Sequence, residues 1–279
     1  MHLLISGLNA PVSLVGCDEM GKEIVRLLRG WAVDFRPGPP PSEPVITVVK
    51  DKDGYRRYSP WTAGEHAFHH RVDAACDFLV DLTRAFVLAN PEYLCLHCAA
   101  VRTKGGLVVF PSTYEAGKST LVLHLAHAGA QLFADDVMPL APDGAGVAPG
   151  ILPRMRLPLT GESRKVMTGW LKARKGASSK RFAYFGMKDG ELAAFGERAP
   201  IVGLVMLQRN PSGPATLQKA GTAEMLKQTI VRNFSKTVKA IEVIDRLNAV
   251  VDGAQRYSLT YASAEDAVRV LKDTFPFAE

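Results

Sequence analysis

Nine consecutive residues, Ser112-Thr113-Tyr114-Glu115-Ala116-Gly117-Lys118-Ser119-Thr120, carry the clearest chemical signal in the chain. They read as a phosphate-binding loop. Backbone N–H groups of such a loop, together with the N-terminus of the helix that follows, surround phosphate oxygens where the helix dipole favours negative charge. Lys118 supplies a point charge toward the β and γ phosphates. The Ser119 hydroxyl is placed to ligate Mg²⁺, with Thr120 beside it. Fifteen residues on, Asp135-Asp136 follow the apolar approach Gln131-Leu132-Phe133-Ala134. Next to a phosphate loop, one carboxylate can hold a magnesium shell while the other takes a proton from an attacking hydroxyl or orients water. Turn residues are the bland explanation of such a pair.

The elements needed to position these groups are legible around them. Residues 106–111 are a short apolar, β-branched run that predicts a buried strand. From Ser119 onward Leu121, Leu125 and Ala128 fall on one helical stripe, and Gly129 is a natural stop. Strand, loop and helix in that order are the context a Walker A loop requires. Ser112 stands where the loop usually opens with glycine, and Glu115 where small residues are common.

These residues also carry a family resemblance. Leu96-His97-Cys98-Ala99-Ala100-Val101, Gly105-Gly106-Leu107-Val108-Val109, the loop, and Ala134-Asp135-Asp136 together resemble the HPr serine kinase/phosphorylase fold and its HPr-kinase-like relatives. Weaker similarity runs through 153–157, Lys180-Arg181 and 200–207. The resemblance implies an α/β P-loop kinase core of the HPr kinase/phosphoenolpyruvate carboxykinase-like type, using ATP and Mg²⁺, with a smaller N-terminal α/β domain. It implies that Asp135 deprotonates the acceptor hydroxyl, that Asp136 and Ser119 serve the metal, and that Lys118 serves the phosphates. It also implies that His97 lies near the transferred phosphate. In domain plan the chain is similar to kinases that modify precursor peptides of ribosomal natural products, such as lasso-peptide tailoring kinases. Many such relatives assemble into homo-oligomers.

Charge is uneven along the chain. Between residues 151 and 188 ten basic residues face the single acid Glu162, within a chain of net charge +6. Arg154, Arg156, Lys180 and Arg181 are the candidates from this patch for gripping ATP. The patch can equally screen transition-state charge or attract an acidic peptide, and a solvated helical face accounts for part of it. Aromatic residues are not interleaved as a single-stranded nucleic-acid platform requires, so no nucleic-acid partner is expected.

Length and composition, 279 residues with 47% hydrophobic and 22% charged, suffice for a large core in one or two domains. No run of about 18 apolar residues is present, so no membrane span is expected. The first residues lack a basic region and a small-residue cleavage site, so the cytoplasm is the expected compartment. Cys95 and Cys98 form a CxxC without a second pair, and buried thiols are the expected outcome. Strands are expected over 3–7, 12–15 and 45–49, with a helix over 19–28 and a proline-rich break at 37–41. A long helix over 65–88 should carry His66, His69 and His70 on a polar face. Residues 1–90 thus read as a small domain for substrate recognition or dimerisation, and 91–279 as the catalytic domain. Later helices are expected over 163–175, 222–232 and 264–274, and residues 176–180, rich in Gly, Ala and Ser, as a mobile lid.

Two functions of different class fit these observations. One is a kinase transferring the γ-phosphate of ATP to the hydroxyl of Ser or Thr in a peptide or protein, with a small-molecule hydroxyl as its variant. The other is a nucleotide-binding regulatory module with weak or no transfer.

Overall fold

Short apolar runs broken by Gly, Pro and Asp dictate a strand-rich start to the chain. The computed structural model describes residues 1–113, 116–159, 161–235 and 237–277. The first part contains β1 (His2–Ile5), β2 (Val12–Val15), α1 (Asp18–Arg26), β3 (Val33–Arg36), β4 (Ile46–Asp51), β5 (Gly54–Tyr58), β6 (His66–Phe68) and α2 (Arg71–Ala89). Its six strands form one sheet in the order β3-β1-β2-β4-β5-β6. Met20 and Ile24 of α1 and the apolar stripe of α2 cover that sheet, and Tyr184 from far later in the chain joins the same core.

The expected helix over 65–88 is corrected at its start. His66 lies in β6, and α2 begins only at Arg71. His70 is the helix cap, its Nδ1 accepting from the Val72 N–H at 3.2 Å. The three histidines therefore form no helical face. Pairing with β5 decides this locally: Tyr55, Arg56 and Arg57 oppose Phe68, Ala67 and His66. Gly54 permits the approach, because a Cβ there would meet the Phe68 carbonyl oxygen at 2.3 Å.

The second part contains β7 (Leu94–Thr103), β8 (Gly106–Phe110), α3 (Lys118–His127), β9 (Gln131–Leu140), β10 (Gly146–Val147), β11 (Arg154–Arg156), α4 (Gly161–Arg174), β12 (Lys175–Ser178) and β13 (Phe182–Phe185). It continues with β14 (Arg198–Ala199), β15 (Ile201–Arg209), β16 (Thr216–Lys219), α5 (Thr222–Arg232), α6 (Ala240–Gly253), β17 (Gln255–Tyr261) and α7 (Ala264–Thr274). An eight-stranded mixed sheet runs β14-β10-β9-β7-β8-β15-β17-β16, and β11, β13 and β12 form a third, three-stranded sheet. The protein is thus a mixed α/β structure with seven helices among the described residues.

Two cores sandwich the large sheet. Leu121, Val122 and Leu125 of α3 pack with Val268 and Leu271 of α7 on one face. Each such side chain, fully buried, contributes roughly 1.5–3 kcal/mol. Met225 of α5 with Val243, Leu247 and Val251 of α6 cover the other face. The strand alternation of β7 separates the two thiols: Cys98 lies in the core under α5 and α6, whereas Cys95 packs with Phe86, Val87 and Val137. Burial pushes the Cys98 thiol up to about 12. Residues 176–178 of the expected lid belong to β12, antiparallel to β13. Among the described residues no helix is long and apolar enough to cross a membrane.

Candidate active site

The site is built where β8 ends and α3 begins. Gly117 sits at φ 88° as the N-cap of α3. An added Cβ would stand 2.9 Å from the Tyr261 hydroxyl, so glycine is required both for the turn and for the close approach of β17. Lys118 is 8% exposed. Its Nζ donates to the carbonyls of Ser112 at 3.0 Å and Thr113 at 2.9 Å, closing the loop on itself. Burial holds the Lys118 amine below its usual value, offset in part by the charge of Asp136.

Ser112 is explained by its neighbour strand. β15 pairs with β8 only as far as Leu204 opposite Val109, then runs on past the end of its partner. The Ser112 Oγ accepts from the Leu207 N–H at 2.8 Å, replacing the ladder partner that β8 no longer supplies. Among the described residues Asp136 is the only non-glycine with positive φ, so nothing at Ser112 demands glycine. Ala116 packs into the core beneath the loop, and its carbonyl accepts from the Tyr261 hydroxyl at 3.3 Å. Tyr114 and Glu115 lie outside the described residues.

The central pairing of β7 with β9 brings His97, Asp135 and Asp136 to this loop. Register places Ala99 opposite Asp135 and Cys98 opposite Asp136. Regular alternation would send the two aspartates to opposite faces. Asp136 instead has φ 137°, a conformation that costs a non-glycine residue of the order of 1–3 kcal/mol. Both carboxylates then reach the same arginine. The Arg154 N–H donates to Asp135 Oδ2 at 3.1 Å, and its guanidinium donates to Asp136 Oδ2 at 2.8 Å. That guanidinium also meets Cys76 Sγ and lies over the Phe182 ring, 5.3 Å from its centroid.

The two aspartates differ in surroundings. Burial raises the Asp135 carboxyl to about 6, while the Ser119 hydroxyl beside it and the Arg154 N–H act in the lowering sense. Its Oδ1 is buried without a hydrogen-bond partner. Asp136 Oδ1 lies 3.4 Å from His97 Nε2. Burial pulls the His97 imidazole below its ordinary range, opposed by the Asp136 charge.

Two cavities meet at these residues. One of about 300 Å³ is lined by Gly117, Lys118, Ser119 and Thr120 together with Arg156 and Phe182. The other, about 470 Å³, opens between α2 and the end of α5, with Arg84, Arg181, Arg232 and Phe234 in its wall. His97, Asp136 and Arg154 line both. The structure thus gathers His97, Lys118, Ser119, Thr120, Asp136, Arg154 and Arg156 at the loop-side cavity, whereas Asp135 lines neither cavity and lies beside the Ser119 hydroxyl and the Arg154 N–H. Arg181 lines only the second cavity, and Lys180, at the exposed β12–β13 turn, lines neither. Arg84 and Arg232 were not singled out from the sequence. Each is a single arginine in the C-terminal half of a helix with no motif around it, and only the packing of α2 and α5 against β7 directs them to one space.

The arrangement has the donors a phosphate chain needs: an uncapped helix N-terminus without an acid in its first turn, a buried lysine, and two arginines. It also fits a magnesium ion arriving with phosphates. A buried, unpartnered carboxylate oxygen on Asp135, in a carboxyl that stands beside the Ser119 hydroxyl, is one donor for such an ion, which keeps most of its coordination for phosphate oxygens and water. Among the described residues no group of three or more His, Cys, Asp or Glu is gathered as a self-contained metal cage. No protein-family model matches the chain, and no curated protein matches it.

Proposed function

We propose that the chain is an ATP- and Mg²⁺-dependent kinase of HPr-kinase-like type, transferring the γ-phosphate to a Ser or Thr hydroxyl of a peptide or protein. One observation carries this reading: Asp136, flanked by His97 and Arg154, lines both the loop-side cavity and its neighbour. A donor phosphate in the first cavity and an acceptor hydroxyl in the second would meet at that carboxylate.

The chemistry follows from what each residue touches. The acceptor O–H gives its proton to the Asp136 carboxylate, on the oxygen that faces His97. The freed oxygen bonds to the γ-phosphorus as the bond from that phosphorus to the β-γ bridging oxygen breaks, and ADP leaves with the bonding pair. His97, kept neutral by burial, presents a polar nitrogen without adding a second positive charge beside Arg154. Lys118 and the α3 N-terminus hold the phosphates, and Arg154 stabilises the charge that develops during transfer. Bound magnesium would neutralise phosphate charge, with Ser119 and Asp135 as its protein ligands. This assignment exchanges the parts that the resemblance gives the two aspartates. The reason is that Ser119 stands by Asp135, while Asp136 is the carboxylate at the junction.

Transfer of radiolabelled γ-phosphate to Ser- and Thr-containing peptides, and to water, tests the reading. Asp136→Asn should keep nucleotide affinity and lose roughly 10²–10⁴ in turnover, the scale of a lost general base. Asp135→Asn should instead weaken magnesium-dependent nucleotide binding, and Lys118→Ala should remove most affinity or turnover. If ATP binds with magnesium but no acceptor ever receives phosphate, the chain is a regulatory nucleotide-binding module.

A further inference from the structure

The larger cavity carries more positive charge than the transfer reaction uses. Five arginines, Arg84, Arg154, Arg156, Arg181 and Arg232, line it against three aspartates. Those aspartates are engaged. Asp136 pairs with Arg154, Asp77 with Arg57, and Asp73 accepts from the Ser179 hydroxyl at 2.6 Å. Two of the arginines lack any such partner among the described residues. The exposed Arg181 guanidinium lies over the Phe182 ring, 5.3 Å from its centroid, and pairs with no acid, and Arg232 is half-buried at the cavity wall with no acid paired to it. A guanidinium that faces a cavity without a carboxylate partner is free to form charge-assisted hydrogen bonds to a bound anion.

These arginines come from separate elements. Arg84 projects from α2, Arg181 from the β12–β13 turn, and Arg232 from the last turn of α5. Arg84 is itself steered by the buried polar network under α2, in which Asp81, 1% exposed, accepts from Arg57, from the Ser59 hydroxyl at 2.6 Å and from Arg84 at 3.2 Å. The cavity also continues into a depression of about 150 Å³ that shares Arg84 and Phe234 with it and adds Trp61 and Leu88. Two adjoining spaces that share Arg84 and Phe234 suit an extended chain better than a compact metabolite.

We propose that the acceptor is an extended acidic peptide segment, whose side-chain carboxylates next to the acceptor hydroxyl are bound by Arg181 and Arg232, with Arg84 alongside. This inference rests on the kinase reading for the position of the hydroxyl. Its test does not, because it reads binding without nucleotide.

Fluorescent peptides capped at both ends, with serine flanked either by Asp and Glu or by Asn and Gln, would be titrated with the full chain and followed by anisotropy. The acidic peptide should bind at least about tenfold more tightly at low salt, and the difference should shrink as salt rises. Arg232→Gln and Arg181→Gln should each remove most of that preference, and Arg232→Lys should keep part of it. Thermal melts matching the parent's would show that each variant is folded. Equal affinity for the two peptides, or a preference that survives in the double Gln variant, overturns the inference. A preserved preference without any phosphate transfer supports this inference and overturns the kinase reading alone. Equal transfer to the neutral peptide overturns this inference alone.

Discussion

Replacing Asp135 by asparagine should stabilise the metal- and nucleotide-free protein at neutral pH, even though it damages the site. Folding moves this carboxyl from an ordinary 3.8 to about 6, chiefly by burial. Between those values the folded state holds a proton that the unfolded chain has already released. Stability therefore falls as pH rises through this window. The penalty is absent below about pH 4 and fully developed above about pH 6. At about 1.4 kcal/mol per pH unit, the shift corresponds to roughly 2–3 kcal/mol. Asparagine carries no charge, and its carboxamide oxygen can still accept the Arg154 N–H. Urea or thermal unfolding in chelator-containing buffer should show Asp135→Asn ahead of the parent by that amount near pH 8, which is roughly 3–5 °C in Tm for a chain of this size. The gap should close near pH 4. A gap that is independent of pH, or a variant less stable than the parent near pH 8, would refute the reasoning.

Two further outcomes test how the loop is built. Gly117→Ala forces a side chain into φ 88° and against the Tyr261 hydroxyl. It should cost roughly 1–2 kcal/mol from backbone strain alone, and more from the contact, measured by urea unfolding; an unchanged midpoint would contradict the described turn. Ser112→Ala leaves the Leu207 N–H without its acceptor in a buried setting. It should cost about 1–3 kcal/mol, and hydrogen exchange at Leu207 should quicken relative to its β15 neighbours. Unchanged exchange there would mean that Ser112 does not complete the β15 ladder.

Much of the fold was legible because local patterns and tertiary packing agree. The helical stripe after Gly117 and the apolar run before Ser112 demand a strand, a loop and a helix, and that is what forms. The helices at Thr222–Arg232 and Ala264–Thr274 begin and end where the sequence reading set them. Helix α6 was missed although Val243, Leu247, Val250 and Val251 repeat on one face; it follows α5 after seven residues and bears no cap signal on Lys239. Histidines 66, 69 and 70 went astray because a strand of three residues has no periodicity to read, and only pairing with β5 determines it.

The site divides in the same way. The sequence alone determines that a glycine-lysine-serine loop precedes two adjacent carboxylates, because those residue types and that order are local facts. It cannot say what each carboxylate meets, since that depends on a backbone twist at Asp136 and on Arg154 arriving from β11 to bridge the pair. Nor can it bring Arg84, Arg181 and Arg232 together, because they lie far apart along the chain. Their meeting is set by α2 and α5 packing against opposite sides of one cavity, and contacts between distant segments leave no periodic trace in either segment.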